Sequence, residues 1–135
     1  MHHTNKIIYL ADDDDDDRMF MRIAIKESGW QATIVETENG QELLQLLREQ
    51  KATEEIKLVV LDMNMPLMTG LEVLRAIRAD QALQFIPAVI ISTSAEPDLV
   101  REAYRYGINA YIKKPSSYAA LNTISEAIKV CFLDA

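Results

Sequence analysis

Polar residues able to do chemistry stand at the ends of the chain's apolar runs. Asp12-Asp13 follow Lys6-Ile7-Ile8-Tyr9-Leu10-Ala11, and Asp62 follows Leu58-Val59-Val60-Leu61. Thr93 follows Ala88-Val89-Ile90-Ile91-Ser92, and Lys114 follows Ala110-Tyr111-Ile112-Lys113. Brought together, three carboxylates repel one another and raise each other's pKa unless a cation sits among them. An all-oxygen donor set favours a hard cation, and Mg²⁺ typically takes one or two carboxylates plus waters. A lysine adds a positive point charge. A divalent ion, a lysine and a hydroxyl around one aspartate suit phosphoryl transfer, where stabilising charge on the phosphoryl oxygens is most of the work. Taken singly, each residue has an ordinary role. Asp12, Asp13 or Asp62 would cap a helix, Thr93 would bond to backbone, Tyr111 would be a half-buried strand aromatic and Lys114 a surface charge. Only the joint pattern carries chemistry, so the fold must gather these residues.

The elements that could do so alternate along the chain. The first strand ends on Asp12-Asp13, and Asp14 to Asp17 offer N-cap and first-turn carboxylates to a helix. Phe20, Ile23, Ala24 and Glu27 recur at helical spacing in that helix, and Gly29 stops it. Ala32 to Val35 form a shorter strand nearer an edge. Gln41 to Gln50 form a second helix that buries Leu43, Leu44 and Leu47. Leu58 to Leu61 are apolar throughout, as in a strand buried on both faces. Pro66 and Gly70 punctuate the loop after Asp62, and a third helix runs from near Leu71 to near Asp80. After the fourth strand, Pro97 suits the first turn of a helix ending near Tyr106 and Gly107. After the fifth strand, Ser116 or Ser117 caps a last helix with apolar positions Leu121, Ile124, Ile128, Cys131 and Phe132. Strand then helix, five times, predicts a doubly wound parallel α/β sheet with helices on both faces. In such a sheet the C-terminal strand ends share one edge. Lys113 competes for the lysine role, but alternation along the strand sends it to the opposite face.

Composition narrows the function. The chain has 135 residues, enough for one domain, and 1–135 reads as a single unit with residues 1–5 as a mobile N-terminal segment. The formal net charge is −7, which argues against direct nucleic-acid or anionic-membrane binding. No apolar run approaches the roughly 18 residues of a membrane span, and no signal peptide is visible, so a cytoplasmic location is expected. Cys131, the single cysteine, lies in an apolar helical pattern and is expected to fill core. His2 and His3 are terminal and make a weak two-histidine metal site.

Given these residues in this order, the chain from about Lys6 onward resembles the receiver domain of two-component response regulators, the CheY-like superfamily, in its stand-alone form. Asp12 and Asp13 match the family's acidic pair. Asp62, in Leu61-Asp62-Met63-Asn64-Met65-Pro66-Leu67-Met68-Thr69-Gly70, matches the phosphoacceptor. Thr93, Tyr111 and Lys114-Pro115 match the hydroxyl, the aromatic switch and the Lys-Pro pair. The resemblance implies a flavodoxin-like (βα)5 sheet in the order 2-1-3-4-5. It implies Mg²⁺ (or Mn²⁺) held by Asp13 and Asp62, by Asp12 largely through water, and by the Asn64 backbone carbonyl. Thr93 and Lys114 would hold the phosphoryl oxygens. Thr93 and Tyr111 would switch, and the Lys114-Pro115 peptide would be cis. Asp14 to Asp17 are expected to stay outside the site. The phosphoryl donor would be a histidine kinase or histidine phosphotransfer protein, with no enzymatic activity beyond self-phosphorylation and autodephosphorylation. With no effector segment expected after the last helix, output would come from a protein partner at the helix 4–strand 5–helix 5 surface, from dimerisation or from onward phosphotransfer. Val100, Ala103, Tyr104 and Ile108 are candidates for that surface. Two other readings compete, a receiver-like module that is never phosphorylated and a Mg²⁺-dependent phosphohydrolase. The dehalogenase-type phosphohydrolase wants a second aspartate where Asn64 stands.

Overall fold

A computed structural model describes residues 6–29, 31–50 and 56–133; the His2-His3 pair and segment 1–5 lie outside the described residues. The elements alternate without exception: β1 (Lys6–Ala11), α1 (Asp15–Glu27), β2 (Thr33–Thr37), α2 (Gly40–Glu49), β3 (Ile56–Leu61), α3 (Gly70–Ala79), β4 (Ala88–Ser92), α4 (Pro97–Arg105), β5 (Ala110–Lys113) and α5 (Tyr118–Ile128). A π-helical turn over Lys129–Leu133 follows α5. The sheet is parallel in the order β2-β1-β3-β4-β5, the flavodoxin-like arrangement expected. In the register, Ala11 stands opposite Leu61, so the residues that follow them, Asp12 and Asp62, emerge side by side.

Alternation along the strands builds two cores. Tyr9, Val59, Leu61 and Ile90 pack with Leu43, Leu47, Leu74 and Ile77 of α2 and α3. Ile8, Leu10, Leu58 and Val60 point to the other face and pack with Met21, Ile25 and Ile128 of α1 and α5. Burial of both sheet faces explains why the central strands carry unbroken apolar runs.

Helix boundaries follow local chemistry. Asp14 accepts from the Asp17 N–H, Asn39 from Glu42 and Ser117 from Ala120, each an N-cap. Thr69 and Glu72 form a reciprocal capping box at the start of α3. Gly29 and Gly107 take positive φ just past α1 and α4, where a side chain would be strained.

Four expectations are corrected. The buried stripe of α1 is Arg18, Met21, Ala24 and Ile25, while Phe20 and Ile23 are exposed; both stripes have helical spacing, and the turn set by the Asp14 cap selects the first. β2 extends to Thr37 because its backbone stays paired with β1 as far as Ala11. Cys131 is exposed, since a π-helical turn changes the angular step and rotates it off the stripe. Ala103 and Ile108 are buried in the core and cannot belong to a docking surface, whereas Tyr104 is exposed.

Arg78, at the end of α3, ties the opposite edge of the sheet together. Its guanidinium donates to the carbonyls of Gly107 at 3.0 Å, Gln84 at 3.0 Å and Ile86 at 2.6 Å, and to Asn109 Oδ1 at 3.0 Å. Asn109 Oδ1 also accepts from the Ala88 N–H at 2.9 Å, where β4 begins. Arg78→Met removes donors from partly buried carbonyls, each costing about 1–3 kcal/mol if unsatisfied. Allowing for water reaching some of them, urea unfolding is expected to show a loss of about 2–3 kcal/mol, with little recovered by Arg78→Lys because one ammonium cannot span the same fork.

Candidate functional site

The C-terminal edge of the sheet gathers the carboxylates. Asp12 leaves β1 with its N–H donating to the Thr37 carbonyl at 3.2 Å, and Asp62 leaves β3 with its N–H donating to Ala11 at 2.9 Å. These ladder bonds continue the sheet one residue past each strand, so both side chains start from fixed backbone. Asp12 and Asp62 are 6% and 9% exposed; Asp13 is exposed. One carboxylate oxygen from each of Asp12, Asp13 and Asp62 lies within 4.8 Å of the other two. Oxygens this close suit a small hard cation, and the set contains no thiol or imidazole, so the residues fit Mg²⁺.

Burial, first, and the neighbouring Asp62 charge hold the Asp12 carboxyl above the ordinary aspartate range, against the opposing pull of the Asp14 N–H and Lys114. Asp12 Oδ1 accepts from that N–H at 3.0 Å. Lys114 donates to Asp12 Oδ2 at 2.9 Å and to Asp17 Oδ2 at 2.7 Å. Burial by itself disfavours the ammonium charge. The bonds to Asp17 and Asp12, with the fields of Asp12 and Asp62, outweigh it and hold Lys114 above the ordinary lysine range. The lysine is therefore charged across all ordinary pH.

The loop after Asp62 is shaped by close packing. Gly70 donates its N–H to the Met63 carbonyl at 2.8 Å. A Cβ on Gly70 would stand 2.5 Å from the Asp62 carbonyl oxygen and 3.0 Å from Met63 Cα, both backbone atoms with little freedom to move. Glycine is thus required at Gly70 by proximity, since its φ is not positive. Leu67, by contrast, has φ +71° without being glycine or asparagine, and its side chain is 69% exposed. A left-handed leucine carries roughly 1–2 kcal/mol of strain.

The remaining expected residues are placed as follows. Thr93 is exposed one residue beyond β4 and makes no side-chain hydrogen bond among the described residues. Asn64 Nδ2 donates to Ser94 Oγ at 2.6 Å, joining the loop after β3 to the loop after β4. The Tyr111 hydroxyl donates to the Ser94 carbonyl, and its backbone N–H donates to Tyr104 Oη at 3.1 Å. Tyr111 is thus turned toward the loop after β4. Lys113 is exposed, as alternation requires. The Lys114-Pro115 peptide is trans, not cis; trans is the intrinsically favoured form of an X-Pro bond, by about 0.5–1 kcal/mol.

Two contributors were not expected. Asp17 reaches Lys114, correcting its assignment to the solvated first turn. Nothing in a run of six aspartates (Asp12 to Asp17) tells which one faces β5. Arg18 is buried, donates to the Asp12 carbonyl and to Asp15, and pairs with Glu36 at 3.5 Å, bracing the Asp12-Asp13 turn against the end of β2. Its spacing of three from Met21 was the available signal.

A carboxylate trio, a lysine and a hydroxyl share the C-terminal edge of a parallel sheet in the order 2-1-3-4-5. The model of the response regulator receiver domain family matches residues 8–126. The chain is 31% identical over 121 residues to chemotaxis protein CheY of Pseudomonas aeruginosa, covering 90% of this chain and 94% of that one. It is 33% identical over 129 residues to a probable methanogenesis regulatory protein, FilR2, of Methanothrix harundinacea, covering 94% and 83%. The phosphorylated cyanobacterial phytochrome response regulator RcpA superposes with a TM-score of 0.87 at 30% identity, covering 96% of this chain and 95% of that one. The chain belongs to the response regulator receiver family. No helix among the described residues is long and apolar enough to cross a membrane.

Two measurements test this geometry. A group whose folded pKa is raised binds its proton more readily folded than unfolded. Ionising Asp12 therefore costs stability, a cost absent below the unfolded aspartate range and complete above the folded value. Asp12→Asn keeps the acceptor for Asp14 and removes the charge. In EDTA at pH 7 it is expected to unfold at higher urea than wild type, the advantage shrinking as pH falls toward the aspartate range; equal midpoints at pH 7 would refute the burial argument. Leu67→Asn, a residue that visits the left-handed region readily, is expected to raise stability by about 0.5–1 kcal/mol in the same assay.

Proposed function

We propose that residues 1–135 form a single-domain response regulator that takes a phosphoryl group onto Asp62 from a phosphohistidine donor, a histidine kinase or a histidine phosphotransfer protein. The observation that carries this reading is the position of Asp62: nearly buried at the end of β3, beside Asp12 and Asp13, with Lys114 on the same edge. An Asp62 carboxylate oxygen attacks phosphorus as the P–N bond of the donor breaks. The bonding pair returns to the imidazole nitrogen, leaving an aspartyl phosphate and an imidazole. The backbone of Asp62, held by Ala11 and packed against Gly70, fixes the attacking oxygen.

Asp12, Asp13 and Asp62, with the Asn64 backbone carbonyl, are the residues that would hold Mg²⁺ (or Mn²⁺), which when bound offsets charge on the phosphoryl oxygens. The Mn(2+)-bound form of response regulator Rcp1, with a TM-score of 0.85 at 25% identity, supports a divalent ion. Lys114 supplies a permanent positive charge, and Thr93, exposed and free to turn, supplies a hydroxyl. The added negative charge, comparable to the −1.5 to −2 of other phosphorylated residues, draws Thr93 and the loop after β4 toward Asp62. That loop holds the Ser94 carbonyl bonded to Tyr111, so its movement reaches the α4–β5–α5 face, where a protein partner or a second copy would read it. The reading carries a cytoplasmic location, where such donors would be met.

Incubation with acetyl phosphate and Mg²⁺, followed by intact mass, is expected to add one phosphoryl group. The adduct should be absent in Asp62→Asn and in EDTA. An unmodified wild type that still binds Mg²⁺ would favour a module that is never phosphorylated, and steady turnover of a phosphate ester would favour a hydrolase.

A further inference from the structure

We propose that Asp17 is a positioning residue that holds Lys114 in a resting pose, in competition with the phosphoryl group on Asp62; the inference rests on the phosphoacceptor reading. Lys114 Nζ has three protons to donate. One goes to Asp12 Oδ2 at 2.9 Å and one to Asp17 Oδ2 at 2.7 Å. Among the described residues no hydrogen bond or ion pair joins Lys114 to Asp62, although both line one cavity of about 310 Å³ between α1 and the segment after β5. The third Nζ proton has no partner among the described residues; to turn a second proton to the oxygens of an aspartyl phosphate, the ammonium must give up a partner.

The two partners differ in what release costs. The Asp12 side chain is 8% exposed and cannot recover water once its partner leaves. The Asp17 side chain is 36% exposed, so water replaces the lysine. Asp17 is the partner that lets go. Its backbone is set independently of the lysine, because its N–H is fixed by the Asp14 cap at 3.0 Å in the first turn of α1. The residue therefore keeps its place in the helix while Lys114 moves. Its effect is to oppose phosphorylation, since a pose of the lysine that turns two protons to the phosphoryl oxygens breaks this pair.

The size follows from the exposure. A partly exposed ion pair is worth up to about 1 kcal/mol, so relieving it should change the rate about two- to fivefold. The test measures the initial rate of modification by acetyl phosphate at saturating Mg²⁺, by intact mass. Asp17→Asn is expected to be about two- to fivefold faster than wild type, and Asp17→Glu, which restores the charge, should return toward wild type. Asp16→Asn controls for charge in the first turn of α1; Asp16 is exposed and pairs with no lysine among the described residues, so its rate should stay near that of wild type. In a Lys114→Ala background, Asp17→Asn should bring no acceleration. A labelled wild type with Asp17→Asn no faster than Asp16→Asn, or acceleration that persists without Lys114, overturns the role of Asp17 alone. A wild type that takes no phosphoryl group overturns the phosphoacceptor reading and this inference with it.

Discussion

Like charge gathered at one edge of a sheet is the constraint around which this structure is built. Three carboxylate oxygens within 4.8 Å of one another repel in any medium, and more strongly where water is excluded. The fold places two of them nearly out of water and meets the cost by local means. The Asp14 N–H and the Lys114 ammonium face Asp12, and the Arg18 guanidinium holds the Asp12 carbonyl. The positive end of α1 lies beside the cluster. Burial of the Asp12 carboxylate, with the Asp62 charge as a smaller addition, is left partly unrelieved, and a divalent cation would offset both. Stability is given up where ligand binding needs it.

The α1 helix carries much of this arrangement, and its two faces show how charge and packing divide the work. Its first turn presents Asp17 to Lys114, one residue past β5. One residue on, Arg18 reaches the opposite way, toward the turn after β1 and Glu36 at the end of β2. Arg22 joins it, pairing with Glu36 at 2.5 Å. Arg18 also donates to the Asp12 carbonyl, so its guanidinium joins the turn after β1 to β2. The helix thus braces the acidic turn from two sides as well as covering a core.

Legibility in the sequence followed the strength of the local signal. Unbroken apolar runs ending on polar residues made β3, β4 and β5 readable to within a residue or two, and strand-helix alternation made the parallel sheet readable. The edge cluster of Asp12, Asp13 and Asp62 was readable because C-terminal strand ends must share a side. The stripe of α1 was not, since Phe20-Ile23 and Met21-Ala24-Ile25 have equally good periods and only the cap at Asp14 sets the rotation. Asp17 was hidden among identical neighbours. Cys131 was misplaced because a π-helical turn breaks the periodicity on which the reading rested. The trans Lys114-Pro115 bond was beyond the residues themselves, whose intrinsic preference is nonetheless the form observed.

The ion pair that completes the site joins residues 102 positions apart in the chain. A contact of such long range forms late, because the intervening loop must be closed before it is rewarded. Ribosomal synthesis delivers Asp12, Asp13 and Asp62 well before β5. A nascent chain therefore carries its acidic residues without the lysine that balances them. The charge balance at the edge is met only when the last strand docks.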